Sequence, residues 1–274
     1  MKVSVVTTVY DRPEHFRMFL RALALQSRPP DEVVVADDGS PAASAERVRE
    51  LFAASGFAGK VVRQEKDGYR LAAARNLALR EITGDYVVFL DCDIVLLPDG
   101  METHLAAAGA DRVLAGNRAL LGEAESGRLF GMGGEGPGAS DFEAAWAVTD
   151  KREAEEAERL FEKHARLRRW HLARPHKPKL IGCHFSLPAA AVRRVNGFDE
   201  NFVGWGYEDD DFARRLYMAG MRPASVIGKA RAMHLWHPSL APKEGGRHRD
   251  RPNRAYFRRW GVEAACRNGL VKLG

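Results

Sequence analysis

The sequence predicts an α/β domain, with a mostly parallel, Rossmann-like sheet and helices on both faces. Short β-branched runs alternate with longer helical segments through the first hundred residues. The runs are nearly continuous in apolar residues, as strands buried on both faces are. Polar residues gather where those runs end, the place where open α/β sheets bind ligands. With 274 residues, 45% hydrophobic and 29% charged, the chain is long enough for one sizeable core.

The elements follow in order. "KVSVVTTVY" (2–10) reads as a strand, and residues 13–27 place Phe16, Phe19, Leu20, Leu23 and Ala24 at helical spacing. "DEVVVADDGS" (31–40) is a strand and turn, and a second helix covers 41–55. A third strand (59–65), a third helix (70–83) and a fourth strand, "DYVVFLDCD" (85–93), complete the first half. The segment 101–177 reads as a glycine-dense loop or lid (127–140) followed by a charged helical insertion (141–173). From 178 a strand restarts at "PKLIGCHFSLP" (178–188), followed by a short helix, an acid-rich segment (196–220) and "SVIGKARAMHLWHP" (225–238). One domain in three parts results: 1–100, 101–177 and 178–274.

No run of about eighteen apolar residues marks a membrane span, and "MKVSVVTTVYDRPEH" has the pattern of a first strand rather than a secretory signal. Three scattered cysteines, Cys92, Cys183 and Cys266, suit a reducing cytoplasm better than a disulfide framework. The net charge of +5 is concentrated in 163–179 and 243–260. Such runs are solvated faces, or they meet a partner carrying phosphate or carboxylate, the inner face of a membrane included. No helix-turn-helix, zinc-finger or RNP-like pattern supports nucleic acid.

Four motifs carry chemistry. At a strand end, Asp91 and Asp93 point one way and Cys92 the other, so the two acids suit a hard divalent cation. Turn and capping work is the competing account of such a pair. A late histidine, His234 or His237 of "MHLWHP", supplies the imidazole that accompanies carboxylates around Mn²⁺-like ions; packing is the alternative. "GWGYEDDDFARRL" (204–216) places four acids at a helix start. Capping and the helix dipole explain one or two of them. They do not explain Trp205 between two glycines, a flat face for stacking on a sugar ring, with a carboxylate beside it able to take a hydroxyl proton.

Taken in order, "VVTTVYDRPE", "VVVADDGS", "AAARN", "FLDCDIV", "NGFDENFVGWGYEDDDFARRL" and "HLWHP" resemble nucleotide-sugar glycosyltransferases of the GT-A fold. The likeness is to the large inverting family of bacterial polysaccharide synthases. The "GWGYEDDD" segment is also similar to that of β-1,4-galactosyltransferases and chondroitin-polymerase-type enzymes. The resemblance implies that 1–100 binds a nucleotide-sugar, UDP-sugar first, and that 178–274 binds the acceptor and completes the metal site. It implies Val9, Tyr10 and Arg12 around the base, Asp37 and Asp38 at uracil or ribose, and Arg75 at ribose or diphosphate. Asp91 and Asp93 would hold sugar-nucleotide and metal, Mn²⁺ before Mg²⁺, with His234 or His237. Trp205, Gly206 and Tyr207 would receive the acceptor, with Asp209 the base and Glu208 and Asp210 its competitors. Glycine stands in the galactosyltransferase pattern where this chain has Tyr207.

Rival classes fit less well. A nicotinamide dehydrogenase needs Gly-x-Gly-x-x-Gly after the first strand, where "TTVYDRPE" stands. A sugar nucleotidyltransferase would open with a glycine-rich basic loop. A non-catalytic carbohydrate- or nucleotide-binding module and a retaining GT-A enzyme stay open on sequence.

Overall fold

The computed structural model describes residues 1–238 and 253–273. Much of the basic stretch 243–260 therefore lies outside the described residues. Four strands, β1 (Val3–Val9), β2 (Glu32–Asp37), β3 (Gly59–Arg63) and β4 (Tyr86–Leu90), alternate with α1 (Pro13–Ala24), α2 (Ala42–Ala54) and α3 (Leu71–Leu79). The chain continues through β5 (Ile94–Leu96), α4 (Gly100–Ala107), β6 (Arg112–Ala115), β7 (Ala119–Leu120), α5 (Glu123–Phe130), α6 (Ala139–Ala147) and α7 (Arg152–Arg169). It ends with β8 (His184–Pro188), α8 (Ala189–Arg194), α9 (Glu208–Met218), β9 (Arg222–Ser225), β10 (Ala232–His234) and α10 (Asn253–Phe257).

The main sheet has seven strands in the order β3-β2-β1-β4-β8-β6-β9. β1 to β4 run parallel, and β8 runs antiparallel to both β4 and β6. A three-stranded sheet, β5-β10-β7, stands beside it. In that sheet His234 pairs with Ile94, so the late histidines come to the exit of β4.

Both faces of the main sheet are covered, as nearly continuous apolar strands require. On one face Phe16, Phe19 and Leu23 of α1 pack with Val5, Val33 and Val88. On the other, Phe89 stacks on Phe185 at 4.4 Å between ring centroids and Phe198 on Phe212 at 4.2 Å, fastening α9 to the sheet. A third cluster, including Met18, Leu129, Phe142 and Met233, ties α5 and α6 to the small sheet. A fully buried chain of hydrogen bonds joins Tyr86, Ser186, His104 and His184 and ends at the carbonyl of Asn117. Because a carbonyl only accepts, His184 donates through Nδ1. Burial lowers the pKa of both imidazoles and favours their neutral forms; in those forms His184 Nε2 accepts from His104, whose Nδ1 accepts from Ser186.

Three expectations change. The glycine-dense stretch 127–140 is helical through Phe130, because α5 buries Ser126 and Leu129, and it becomes helical again from Ala139. The segment 101–177 is more than an insertion, since β6 lies within the main sheet between β8 and β9. The strand expected from 178 begins at His184. Among the described residues no helix is long and apolar enough to cross a membrane.

Candidate active site

Strand β4 stops at Leu90, and the Ile94 N–H donates to the Asp91 carbonyl, closing a turn. Strand alternation therefore does not extend over 91–93, and the two acids diverge instead of pointing together. Cys92 enters the core as expected. Asp93 faces the end of β10: its Oδ2 lies 3.3 Å from His237 Nε2 and 3.6 Å from His234 Nε2. The Arg12 guanidinium donates to the same oxygen at 2.6 Å and sits 3.0 Å from His237 Nδ1. The Leu235 N–H donates to the Asp93 carbonyl and locks this register.

One carboxylate oxygen and two imidazole nitrogens, all within 4.8 Å of one another, form a group able to hold a metal ion. The chemistry of the donors fits. Burial pushes the Asp93 pKa up, but His237, His234 and Arg12 outweigh it and hold the carboxyl at about 2. Burial lowers His234 to about 4 against the pull of Asp93, leaving the neutral imidazole that ligation requires. A cation, the Arg12 guanidinium, already lies against Asp93. Arg12, expected around the base, makes its ion pair here. Asp91, expected as a second ligand, is not in this group. It pairs with Arg75 at 3.4 Å, and burial raises its pKa to about 6, softened by water because a third of the side chain is exposed.

Arg75 links this region to the acid-rich helix. It is 3% exposed and donates to the Gly182 carbonyl at 3.0 Å, and the Gly182 N–H donates to Asp209 Oδ2 at 3.0 Å. A side chain at 182 would meet Arg75 Nη2 at 2.8 Å and Asp209 Oδ2 at 3.1 Å, so the relay requires glycine there. Arg75 Nη1 is buried and has no hydrogen-bond partner among the described residues.

The helix phase of α9 separates its four acids. Asp211 is fully buried between Arg214, Arg215 and Arg259, and Arg215 also donates to the carbonyls of Val195 and Gly197, so Asp211 holds the fold. Glu208 is buried, and desolvation raises its pKa to about 8, with Asp209 adding to the shift. Burial raises Asp210 to about 6 against Lys179, 3.6 Å away. Asp209 is the half-buried member. Just before them, Trp205 is 46% exposed. Gly204, Gly206 and Tyr207 all have left-handed backbones, with φ of +85°, +98° and +74°.

At the β1 and β2 exits, Asp38 accepts from Gln64 at 2.6 Å and Lys66 at 3.2 Å, and the Lys66 ammonium lies 3.6 Å from the Tyr10 ring centroid. Asp37 is committed to its turn, accepting from the Ser40 N–H and Arg63. Val9 is buried within β1. Sequence reasoning missed Lys66, Gln64 and Gly182. An isolated glycine inside an apolar run, as in "LIGCH", is a signal of close backbone approach that could have found Gly182.

Residues 4–126 match the family model described as glycosyl transferase family 2, and residues 161–238 match the one described as N-terminal domain of galactosyltransferase. Each match covers less than half of the chain, and the fold is that of the GT-A glycosyltransferases. The chain is 30% identical over 247 residues to a chondroitin synthase of Escherichia coli, a match covering 86% of this chain and 35% of that protein. It thus spans about a third of that relative's length. Among solved structures it resembles a mannosyltransferase of Pyrobaculum calidifontis in complex with GDP-Man and Mn²⁺. That match has a TM-score of 0.58 at 20% identity and covers 89% of this chain and 58% of that one. It also resembles S. aureus TarS 1-349 in complex with UDP-GlcNAc, with a TM-score of 0.58 at 19% identity over 87% and 60% of the two chains. At these identities the likeness shows the GT-A fold alone.

Proposed function

We propose that this glycosyltransferase moves a sugar from a UDP-sugar to a hydroxyl of a carbohydrate or glycoconjugate acceptor, with inversion, in polysaccharide or glycoconjugate synthesis. The observation that carries the reading is the Asp93–His234–His237 group placed beside the Asp91–Arg75–Gly182–Asp209 relay. Asp93, His234 and His237 would hold a divalent ion, and their two imidazoles favour Mn²⁺ over Mg²⁺, which prefers oxygen ligands. Bound there, the ion would supply Lewis-acid neutralisation of the leaving diphosphate.

The chain's own groups do the rest. Arg75 offers its unpartnered Nη1 to a diphosphate oxygen. Tyr10, Asp38 and Lys66 form the pocket for base and ribose, with Val9 and Asp37 supporting its backbone. Trp205 provides the apolar face for the acceptor ring, with Gly206 and Tyr207 beside it. Asp209 takes the acceptor proton through Oδ1 while Oδ2 stays on Gly182. The acceptor oxygen bonds to the anomeric carbon from the face opposite the diphosphate, whose C–O bond breaks, and configuration inverts. Glu208 is not assigned as the base, because burial raises its pKa and favours the protonated form.

The test is incubation with Mn²⁺, UDP-glucose, UDP-galactose, UDP-N-acetylglucosamine, UDP-glucuronate or GDP-mannose, and a panel of p-nitrophenyl glycosides, with product anomers assigned by NMR. Transfer from a UDP-sugar with inversion is expected. A retained anomer overturns the stereochemical assignment. Absence of both transfer and UDP binding overturns the enzyme reading in favour of a non-catalytic module.

A further inference from the structure

The turn that carries Trp205 is conformationally expensive. Left-handed backbone costs a glycine nothing, but Tyr207 adopts it too. Such a conformation persists only where its surroundings hold it. On one side the Gly204 N–H donates to the Tyr69 carbonyl at 2.8 Å. On the other, the restraint comes from α10, which lies outside both family-matched ranges.

Asn253, 4% exposed, donates its side-chain amide to the carbonyls of Gly204 and Gly206, at 3.2 and 3.0 Å. Those carbonyls belong to the 204–205 and 206–207 peptides, so one amide fixes the backbone before Trp205 and after Gly206. Phe257, one helical turn further along α10, stacks on Tyr207 at 5.1 Å between centroids and 27° between planes. Arg214 of α9 donates to the Phe257 carbonyl at 3.0 Å. Tyr256 and Arg259 both reach Asp199, at 2.8 and 2.9 Å, and Arg259 also reaches Asp211 at 3.3 Å. The short helix is thereby fastened to the element that carries Asp209.

We propose that Asn253 is a positioning residue for acceptor binding, clamping the Gly204–Gly206 turn so that Trp205 is presented to the acceptor ring. The inference rests on the transferase reading for its kinetic consequence, while the clamp itself can be tested without activity. Asparagine suits the role because its two amide protons satisfy two carbonyls at once, and aspartate, having none, would repel both.

In the Asn253→Ala protein, hydrogen–deuterium exchange across 203–208 should be at least tenfold faster than in wild type, with α1 and α3 unchanged. With the best donor and p-nitrophenyl glycoside of the panel, the KM for that glycoside should rise about tenfold, while the KM for the UDP-sugar and its slow hydrolysis stay within twofold. Phe257→Leu, which keeps an apolar side chain, should show a smaller shift of the same kind and serves if the alanine protein does not fold. Unchanged protection of 203–208 in a folded variant overturns the clamp whether or not the wild type transfers sugar. Equal changes in donor and acceptor KM overturn the positioning role. A wild type that transfers nothing, combined with faster exchange in the variant, counts against the transferase reading and supports the clamp.

Discussion

Asp209→Asn separates the base from its neighbours. Asparagine keeps an oxygen that can accept the Gly182 N–H, so the relay to Arg75 survives and only the proton acceptor is lost. A positioned general base contributes about 10²–10⁴-fold in rate, equivalent to about 3–5 kcal/mol in the barrier. The expected result is a fall of that size in kcat with both KM values within threefold. Glu208→Gln is the control: burial raises the Glu208 pKa to about 8 and favours its protonated form at pH 7, and glutamine preserves a neutral side chain of the same size. That variant should lose less than about tenfold in kcat, on the scale of one hydrogen bond. Asp210→Asn, which removes only the partner of Lys179, should behave similarly. The assay is initial-rate kinetics on the best donor–acceptor pair at pH 7. If Glu208→Gln or Asp210→Asn shows the large loss and Asp209→Asn does not, the assignment fails.

Other outcomes follow from the same contacts. Asp211→Ala leaves Arg215 buried and uncompensated and should cost about 3–5 kcal/mol in urea unfolding; a loss below about 1 kcal/mol would refute its structural role. Burial holds His184 at about 4 when folded, against about 6.5 when unfolded, so the unfolded state binds the extra proton between these values. Stability is then complete above pH 6.5 and lost as pH falls towards 4, about 2 kcal/mol of it between pH 7 and 5. His104, also depressed by burial, adds in the same direction. His104→Gln/His184→Gln should flatten that slope in urea titrations, and parallel curves for variant and wild type would refute the neutral hydrogen-bonded chain. Arg75→Lys gives up the planar fork and should weaken UDP binding about tenfold by calorimetry; an unchanged affinity removes Arg75 from the donor site.

Much of the fold was legible because burial imposes a pattern. The apolar runs of β1, β2 and β4 and the stripe Phe16–Leu23 are what a sheet covered on both faces requires. β6 was not, since "RVLA" is too short to distinguish from loop without its neighbours in the sheet. At the site, Asp93, His234 and His237 were singled out because their chemistry suits one ion, and small-sheet pairing brings them close together. Asp91 was misplaced because the outcome turned on whether β4 ended at residue 90 or 93. Arg12 reaches Asp93 because a long side chain at the start of α1 can cross to the exit of β4. The four acids could not be sorted from sequence: successive helix positions turn about 100°, and only the packed helix decides which meets Gly182, Arg75, Lys179 or Arg215.

The central claim is that transfer runs through a divalent ion held by Asp93, His234 and His237. Transfer by the wild-type protein should be measured after EDTA treatment and then across a titration of free Mn²⁺. Activity should fall at least a hundredfold in EDTA, return with Mn²⁺ in a saturable way, and fail to return in Asp93→Ala, with unfolding still cooperative. Near-normal transfer in EDTA, or full Mn²⁺ rescue of Asp93→Ala, would contradict the account.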